Sequence, residues 1–175
     1  MIFFLYNIKM SNYFELLKIE KSYNIDLKIL NHQYFAMQAK FHPDQARTNE
    51  EKKHNLSISI ELNKAYSVLK DDLQRAEYLL SLNNINFNDD SVKQIASKIQ
   101  LSSIWNELEL IEDTNELSAL KQLYNNKLLE QKNEISLLNL AFQNHNLCDV
   151  VNIITRLKYL KTLIGNLQLK IKFCK

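Results

Sequence analysis

The sequence is poor in the two residues that most often make tight turns, because its 175 positions include one glycine and one proline. Sheets need many such turns, which draw on glycine and proline for their backbone angles. We therefore expect an all-α protein. The length and the 46% hydrophobic content allow one large core or two small ones.

The sequence also has few cysteines and a small net charge. Cys148 and Cys174 lack CxxC spacing, so neither a zinc site nor a thioredoxin-like motif is indicated, and we interpret both as free thiols in a reducing compartment. The formal charge of +2 provides no broad field to attract nucleic acid or an anionic membrane. A partner must therefore recognise a local patch.

The apolar start of the chain, residues 1–8, is too short to span a bilayer and lacks the basic start and cleavage site of a secretory signal. We therefore predict a cytoplasmic protein without a membrane anchor. Residues 1–10 are interpreted as an extension. It is either disordered, docked as a tail or strand, or the product of a start codon upstream of Met10.

The first half of the chain predicts two amphipathic helices. The first covers roughly residues 26–41, with Asp26 as a suitable N-cap and Pro43 as the end of the pattern. Its apolar positions are Leu27, Leu30, Tyr34, Met37 and Phe41. A polar segment, residues 45–55, is expected to form a loop before the second helix. The apolar positions of that helix are Ile58, Leu62, Ala65 and Leu69.

A turn-rich segment, residues 83–89, is interpreted as a linker between a first domain at 11–82 and a second at 90–173. Three helices are predicted in the second domain, at roughly 90–112, 115–144 and 147–173. The last has a continuous apolar seam typical of an antiparallel bundle. Its positions are Val150, Ile153, Leu157, Leu160, Ile164, Leu167 and Ile171.

The motif that indicates function is His42-Pro43-Asp44, which follows the first amphipathic helix. Alone, the tripeptide is an ordinary turn sequence. Here an aromatic-ended helix, residues 34–41, precedes it, and the segment 63–69 follows on the second helix. This arrangement resembles the J domain of DnaJ-type co-chaperones. With residues 12–17, residues 75–80 and the helical second half, the chain resembles the HscB family of iron–sulfur co-chaperones.

The resemblance implies an antiparallel helical hairpin with a His-Pro-Asp loop, packed on or joined to a three-helix bundle. It also implies that His42, Pro43 and Asp44 contact an HscA-type chaperone, a DnaK-class ATPase. Lys40 and Arg47 lie close enough in sequence to contribute to this contact. J domains commonly follow the motif with lysine and have a basic second helix, whereas this chain has Gln45 and few cations. We therefore expect modest salt dependence.

The resemblance further implies a binding face for an IscU-type iron–sulfur scaffold on the C-terminal bundle. Apolar and acidic residues of the first bundle helix and an aromatic residue of the last helix would form it. These positions are Ile104, Trp105, Leu108, Glu109, Glu112 and Tyr159. The alternative is that these side chains only pack the bundle. Tyr159 discriminates best, because it lies off the apolar seam.

The sequence predicts no catalytic site, no cofactor and no resident metal. The histidines form no pattern with a nucleophile, and a metal site from His32, His42, Asp44 and His54 would lack recognised spacing. We interpret the chain as an adaptor that binds the scaffold and delivers it to a chaperone whose ATPase it stimulates. The alternative is a generic J-domain co-chaperone with a different client. A nucleic-acid binder is opposed by the near-zero charge.

Overall fold

The computed structural model describes residues 12–85, 107, 111, 114 and 116–174. These residues form helices, turns and bends without a strand, which confirms the all-α prediction for the described part of the chain. The predicted extension at 1–10 and most of the predicted helix at 90–112 lie outside this part. Among the described residues, no helix combines the length and apolar character needed to cross a bilayer.

The chain divides into two compact units between Arg75 and Ala76. The N-terminal unit contains α1 (Tyr13–Leu16), α2 (Leu27–Lys40), a 3-10 turn (Pro43–Gln45) and α3 (Asn49–Lys70). Helix α4 (Asp72–Leu82) crosses the division, and the C-terminal unit contains α5 (Leu117–Gln143) and α6 (Leu147–Phe173). The domain limits proposed from the sequence, with a linker at 83–89, stay a prediction.

Side-chain caps explain where the helices of the N-terminal unit begin. The predicted cap is confirmed, because the Asp26 carboxylate accepts the Lys28 N–H at 2.7 Å. Thr48 caps α3 by accepting the Glu51 N–H at 3.1 Å. The prediction of a loop through residues 45–55 is therefore wrong beyond Thr48. Polar residues of the first two turns of α3 remain helical because they are capped and mostly exposed to water.

Helix α3 packs against both α2 and α1 around one apolar core. Predicted core positions are buried, except for Leu27, Tyr34 and the half-buried Ile58. Leu27 is exposed at the start of α2, and Tyr34 is half-buried because its hydroxyl donates to the Asn63 side chain at 2.7 Å. The buried side chains are Phe14, Leu16, Leu17, Leu30, Met37, Phe41, Leu62, Ala65 and Leu69.

Helices α5 and α6 lie antiparallel, because the three residues between them reverse the chain. His145 has a positive φ of 55°, and Asn146 caps α6 by accepting the Asp149 N–H at 3.2 Å. The predicted seam of α6 is buried except for Ile153 and Ile171, which are half-buried. Further apolar side chains of α6 widen the buried face. They are Val151, Ile154 and Leu163.

Candidate functional site

The His-Pro-Asp segment forms an exposed, locally ordered turn directly after α2. Pro43 begins the 3-10 turn, where its fixed φ suits the first helical position and its missing N–H costs nothing. The His42 Nδ1 accepts the Asp44 N–H at 3.3 Å, and the Gln45 N–H donates to the His42 carbonyl at 2.9 Å. These bonds order the turn before any partner arrives, which lowers the entropy cost of binding.

The two chemically active side chains of this turn point into solvent. The side chains of His42 and Asp44 are 55% and 81% exposed, and the Asp44 carboxylate lies 3.6 Å from the His42 Nδ1. Since Nδ1 accepts a backbone N–H, the neutral ring carries its proton on Nε2. The turn therefore presents a carboxylate acceptor and an imidazole donor. This chemistry suits a cationic, hydrogen-bonding surface on another protein.

A buried hydrogen bond anchors the end of α2 that leads into the turn. The Ser59 hydroxyl of α3 is buried and donates to the Phe41 carbonyl at 3.1 Å, while the Phe41 ring lies in the core. Gln38 donates to the Ser59 carbonyl at 3.3 Å and to the Asn63 side chain at 2.7 Å. The sequence analysis missed Ser59. A small polar residue on the buried face, three positions before Leu62, was the available signal.

Two tyrosines fix the register of α2 against α3. The rings of Tyr34 and Tyr66 stack with centroids 4.1 Å apart. The Tyr66 hydroxyl donates to the Asn31 side chain at 2.7 Å, and the Tyr34 hydroxyl donates to Asn63 at the same distance. Each hydrogen bond crosses between the two helices. A one-turn slip of α2 would break both bonds and move the His-Pro-Asp turn relative to α3.

The predicted accessory contacts are Lys40, which precedes the turn, and Arg47, which follows it. Both side chains are exposed. The Lys40 ammonium lies 5.2 Å from the centroid of the Phe41 ring, within range of a cation–π contact. The backbone N–H of Arg47 donates to the Glu51 carboxylate at 2.8 Å, which holds the Arg47 backbone at the start of α3. Their role in chaperone binding stays a prediction. Within the described residues, no three side chains of His, Cys, Asp or Glu are grouped to hold a metal ion.

The described part of the predicted scaffold face consists of Tyr159 alone. Ile104, Trp105, Leu108, Glu109 and Glu112 lie outside the described residues. Tyr159 is half-buried on α6, and its hydroxyl donates to the Glu107 carboxylate at 2.8 Å. Burial raises the pKa of the Tyr159 phenol, and this hydrogen bond raises it further. Tyr159 therefore has a packing role, and its contact with a scaffold stays a prediction.

Glu107 belongs to a chain of charged side chains in the C-terminal unit that the sequence analysis missed. Its carboxylate lies 2.9 Å from the Lys127 ammonium, which also donates to Glu130 at 3.0 Å. Arg156 of α6 donates to Glu130 at 2.7 Å and lies 2.9 Å from Glu134. Carboxylates and cations thus alternate along one connected network. Apart from the i,i+3 pair Lys127–Glu130, these contacts join different helices across up to 26 positions in sequence, so no local pattern indicates them.

The chain is similar to known co-chaperones over most of its length. The DnaJ domain model matches residues 12–78. The co-chaperone protein HscB of Buchnera aphidicola is 31% identical over 156 residues, which cover 85% of this chain and 88% of that protein. These matches include the whole of the His-Pro-Asp turn.

Two solved structures share the fold. The chaperone HscB from Vibrio cholerae superposes with a TM-score of 0.72 at 27% identity, covering 90% of this chain and 96% of that one. Human co-chaperone protein HscB superposes with a TM-score of 0.80 at 24% identity, covering 91% and 81%. The J-domain resemblance is confirmed, and the chain belongs to the HscB family of co-chaperone proteins.

Proposed function

We propose that this chain is a J-domain co-chaperone of iron–sulfur cluster assembly that stimulates the ATPase of an HscA-type, DnaK-class chaperone. The observation that carries the proposal is the turn at 42–44, which exposes Asp44 at 81% while a buried hydrogen bond anchors the preceding residue. The ATP chemistry takes place in the partner. The chain supplies a pre-ordered acceptor for a cationic group of that partner.

The contribution of Asp44 follows from the chemistry of its carboxylate. A charge-assisted hydrogen bond is typically worth about 1.5–3 kcal/mol, which corresponds to roughly a ten- to hundredfold change in affinity. A transient complex loses most of its occupancy with such a change. Folding barely depends on Asp44, because its side chain projects into water.

The test is single-turnover ATP hydrolysis by the cognate chaperone with the wild-type chain and with Asp44→Asn. We expect the variant to lose most of the stimulation while its helical content and unfolding midpoint stay unchanged. Glu50→Gln is the matched control, because Glu50 is an exposed carboxylate in the first turn of α3. Equal losses in both variants, or no stimulation by wild type, would contradict the proposal.

The cargo of the C-terminal unit is proposed to be the IscU-type iron–sulfur scaffold. The predicted face at 104–112 and Tyr159, together with membership of the HscB family, supports this assignment. Binding cargo and chaperone at once would raise the local concentration of cargo at the ATPase. Titration of the labelled scaffold separates this function from a generic J-domain co-chaperone. An absence of binding alongside normal ATPase stimulation would favour the generic alternative.

A further inference from the structure

Two anchors hold Glu107 and Ile111, the two described helical residues of the predicted helix at 90–112. Glu107 is bound by Tyr159 of α6 at 2.8 Å and by Lys127 of α5 at 2.9 Å. One turn later, the Lys170 ammonium of α6 donates to the Ile111 carbonyl at 2.6 Å. Residues four apart lie on the same helical face. The anchors therefore restrain both the position of this face and its rotation about the helix axis.

The partners of Glu107 are themselves held in place. Tyr159 packs against a buried apolar cluster formed by Ile111, Leu120, Leu163 and Leu167. Lys127 also binds Glu130, whose carboxylate accepts from Arg156. The Glu107 carboxylate thus meets a phenol and an ammonium that other contacts already orient. Such pre-oriented partners lose little side-chain entropy when the bond forms, which makes the anchor rigid.

The residues predicted to bind the scaffold on this helix, Ile104, Trp105, Leu108, Glu109 and Glu112, lie within three positions of Glu107 or Ile111 in the sequence. A rotation of the helix would therefore move the scaffold-binding side chains together. The bonds that Tyr159 and Lys127 make to Glu107 set this rotation.

We propose that Glu107, Lys127 and Tyr159 are positioning residues that orient the scaffold-binding helix. The role of Tyr159 is carried by its hydroxyl and its bond to Glu107, in addition to any contact of its ring. The inference rests on the proposed function, because it assigns residues to the same scaffold site. It predicts that removal of one hydroxyl oxygen on α6 weakens scaffold binding on another helix.

The experiment measures scaffold affinity by titration with the full-length wild-type chain, Tyr159→Phe, Glu107→Gln and the double variant. Tyr124→Phe is the matched control. Its hydroxyl accepts from Gln168 at 2.8 Å and its ring packs on the same apolar cluster, but it binds α6 and not Glu107. Thermal unfolding of every variant is recorded in parallel, so that affinity is compared at a temperature where all of them are folded.

We expect Tyr159→Phe and Glu107→Gln each to weaken scaffold binding by about three- to tenfold, the factor that corresponds to one lost hydrogen bond. The double variant should be less impaired than the product of the two factors, because both changes weaken the same contact: Tyr159→Phe removes the donor, and Glu107→Gln leaves a neutral, weaker acceptor. Tyr124→Phe should bind as wild type does. Unchanged affinity in Tyr159→Phe and Glu107→Gln would overturn this inference alone. If the wild type did not bind the scaffold at all, the proposed function would fail, and this inference with it.

Discussion

The buried bond between Ser59 and Phe41 allows the order of the His-Pro-Asp turn to be tested without changing the turn itself. In Ser59→Ala the Phe41 carbonyl loses the hydroxyl that donates to it at 3.1 Å. Removing one partner of a buried hydrogen bond costs about 1–3 kcal/mol. Part of that cost is offset, because alanine favours a helix interior over serine by a few tenths of a kcal/mol.

We therefore expect Ser59→Ala to destabilise the N-terminal unit by about 1–2 kcal/mol. Hydrogen exchange on peptides from α2 and α3 measures this unit separately from the C-terminal one. Ser57→Ala is the matched control, because Ser57 lies exposed on the same helix. It isolates the helix-propensity gain from the loss of the buried bond.

The same variant distinguishes the effect of holding Asp44 in position from the effect of its carboxylate group. A less ordered turn binds with a larger entropy cost, so Ser59→Ala should need more co-chaperone for half-maximal ATPase stimulation. Its maximal stimulation should be retained, since Asp44 is still present. The reasoning is refuted if Ser59→Ala and Ser57→Ala show equal protection from exchange and equal half-maximal concentrations.

Three further predictions follow from other contacts. Arg75→Ala should destabilise the N-terminal unit by about 3 kcal/mol in urea unfolding. The reason is that the buried guanidinium donates to the Leu69 and Tyr23 carbonyls, each at 2.7 Å. A loss of stability below about 1 kcal/mol would contradict this role. Burial and the bond to Glu107 raise the pKa of Tyr159 above its ordinary value of about 10. The stabilisation that the neutral phenol gives to the folded state is therefore complete below pH 10 and is lost as the pH rises through the folded-state pKa. Difference titration of phenolate absorbance between wild type and Tyr159→Phe checks this, and ionisation near pH 10 would refute it. The double variant Lys40→Ala/Arg47→Ala should raise the co-chaperone concentration needed for half-maximal ATPase stimulation only a few-fold, because exposed charges contribute little to binding. It should also make that concentration depend less on salt. An unchanged dependence on salt would exclude both residues from the interface.

The helices of the N-terminal unit were predictable because their signals are local. The apolar spacing and the Asp26 cap predict α2 to within one residue of its observed ends, and Pro43 marks its termination. The start of α3 was misplaced, because polarity was interpreted as a loop. Thr48 and Glu51 carry the S/T-x-x-E signature of a helix start, so the sequence did contain the correct signal.

In the C-terminal helices, the sequence pattern predicts only part of the buried surface. A three-four seam predicts which face of α6 is buried, and most of that seam is confirmed. The additional burial of Val151, Ile154 and Leu163 depends on neighbouring helices, which widen the covered face beyond a single stripe. Tyr159 is predicted as a cargo contact from the HscB resemblance, and its position off the seam makes it the residue that best separates cargo binding from packing. Its bond to Glu107 joins residues 52 positions apart, a distance at which periodicity carries no information.

In both units, polar contacts between helices hold a segment that carries a proposed binding surface. The His-Pro-Asp turn is contiguous in sequence and was therefore recognisable, whereas its anchor, Ser59, comes from another helix. Glu107 and Tyr159 form the equivalent anchor in the C-terminal unit. Because Ser59 is buried and the Tyr159 hydroxyl is bound to Glu107, Ser59→Ala and Tyr159→Phe should change affinity through geometry. A variant scan limited to exposed motif residues would therefore miss the positions that set how well the motifs are presented.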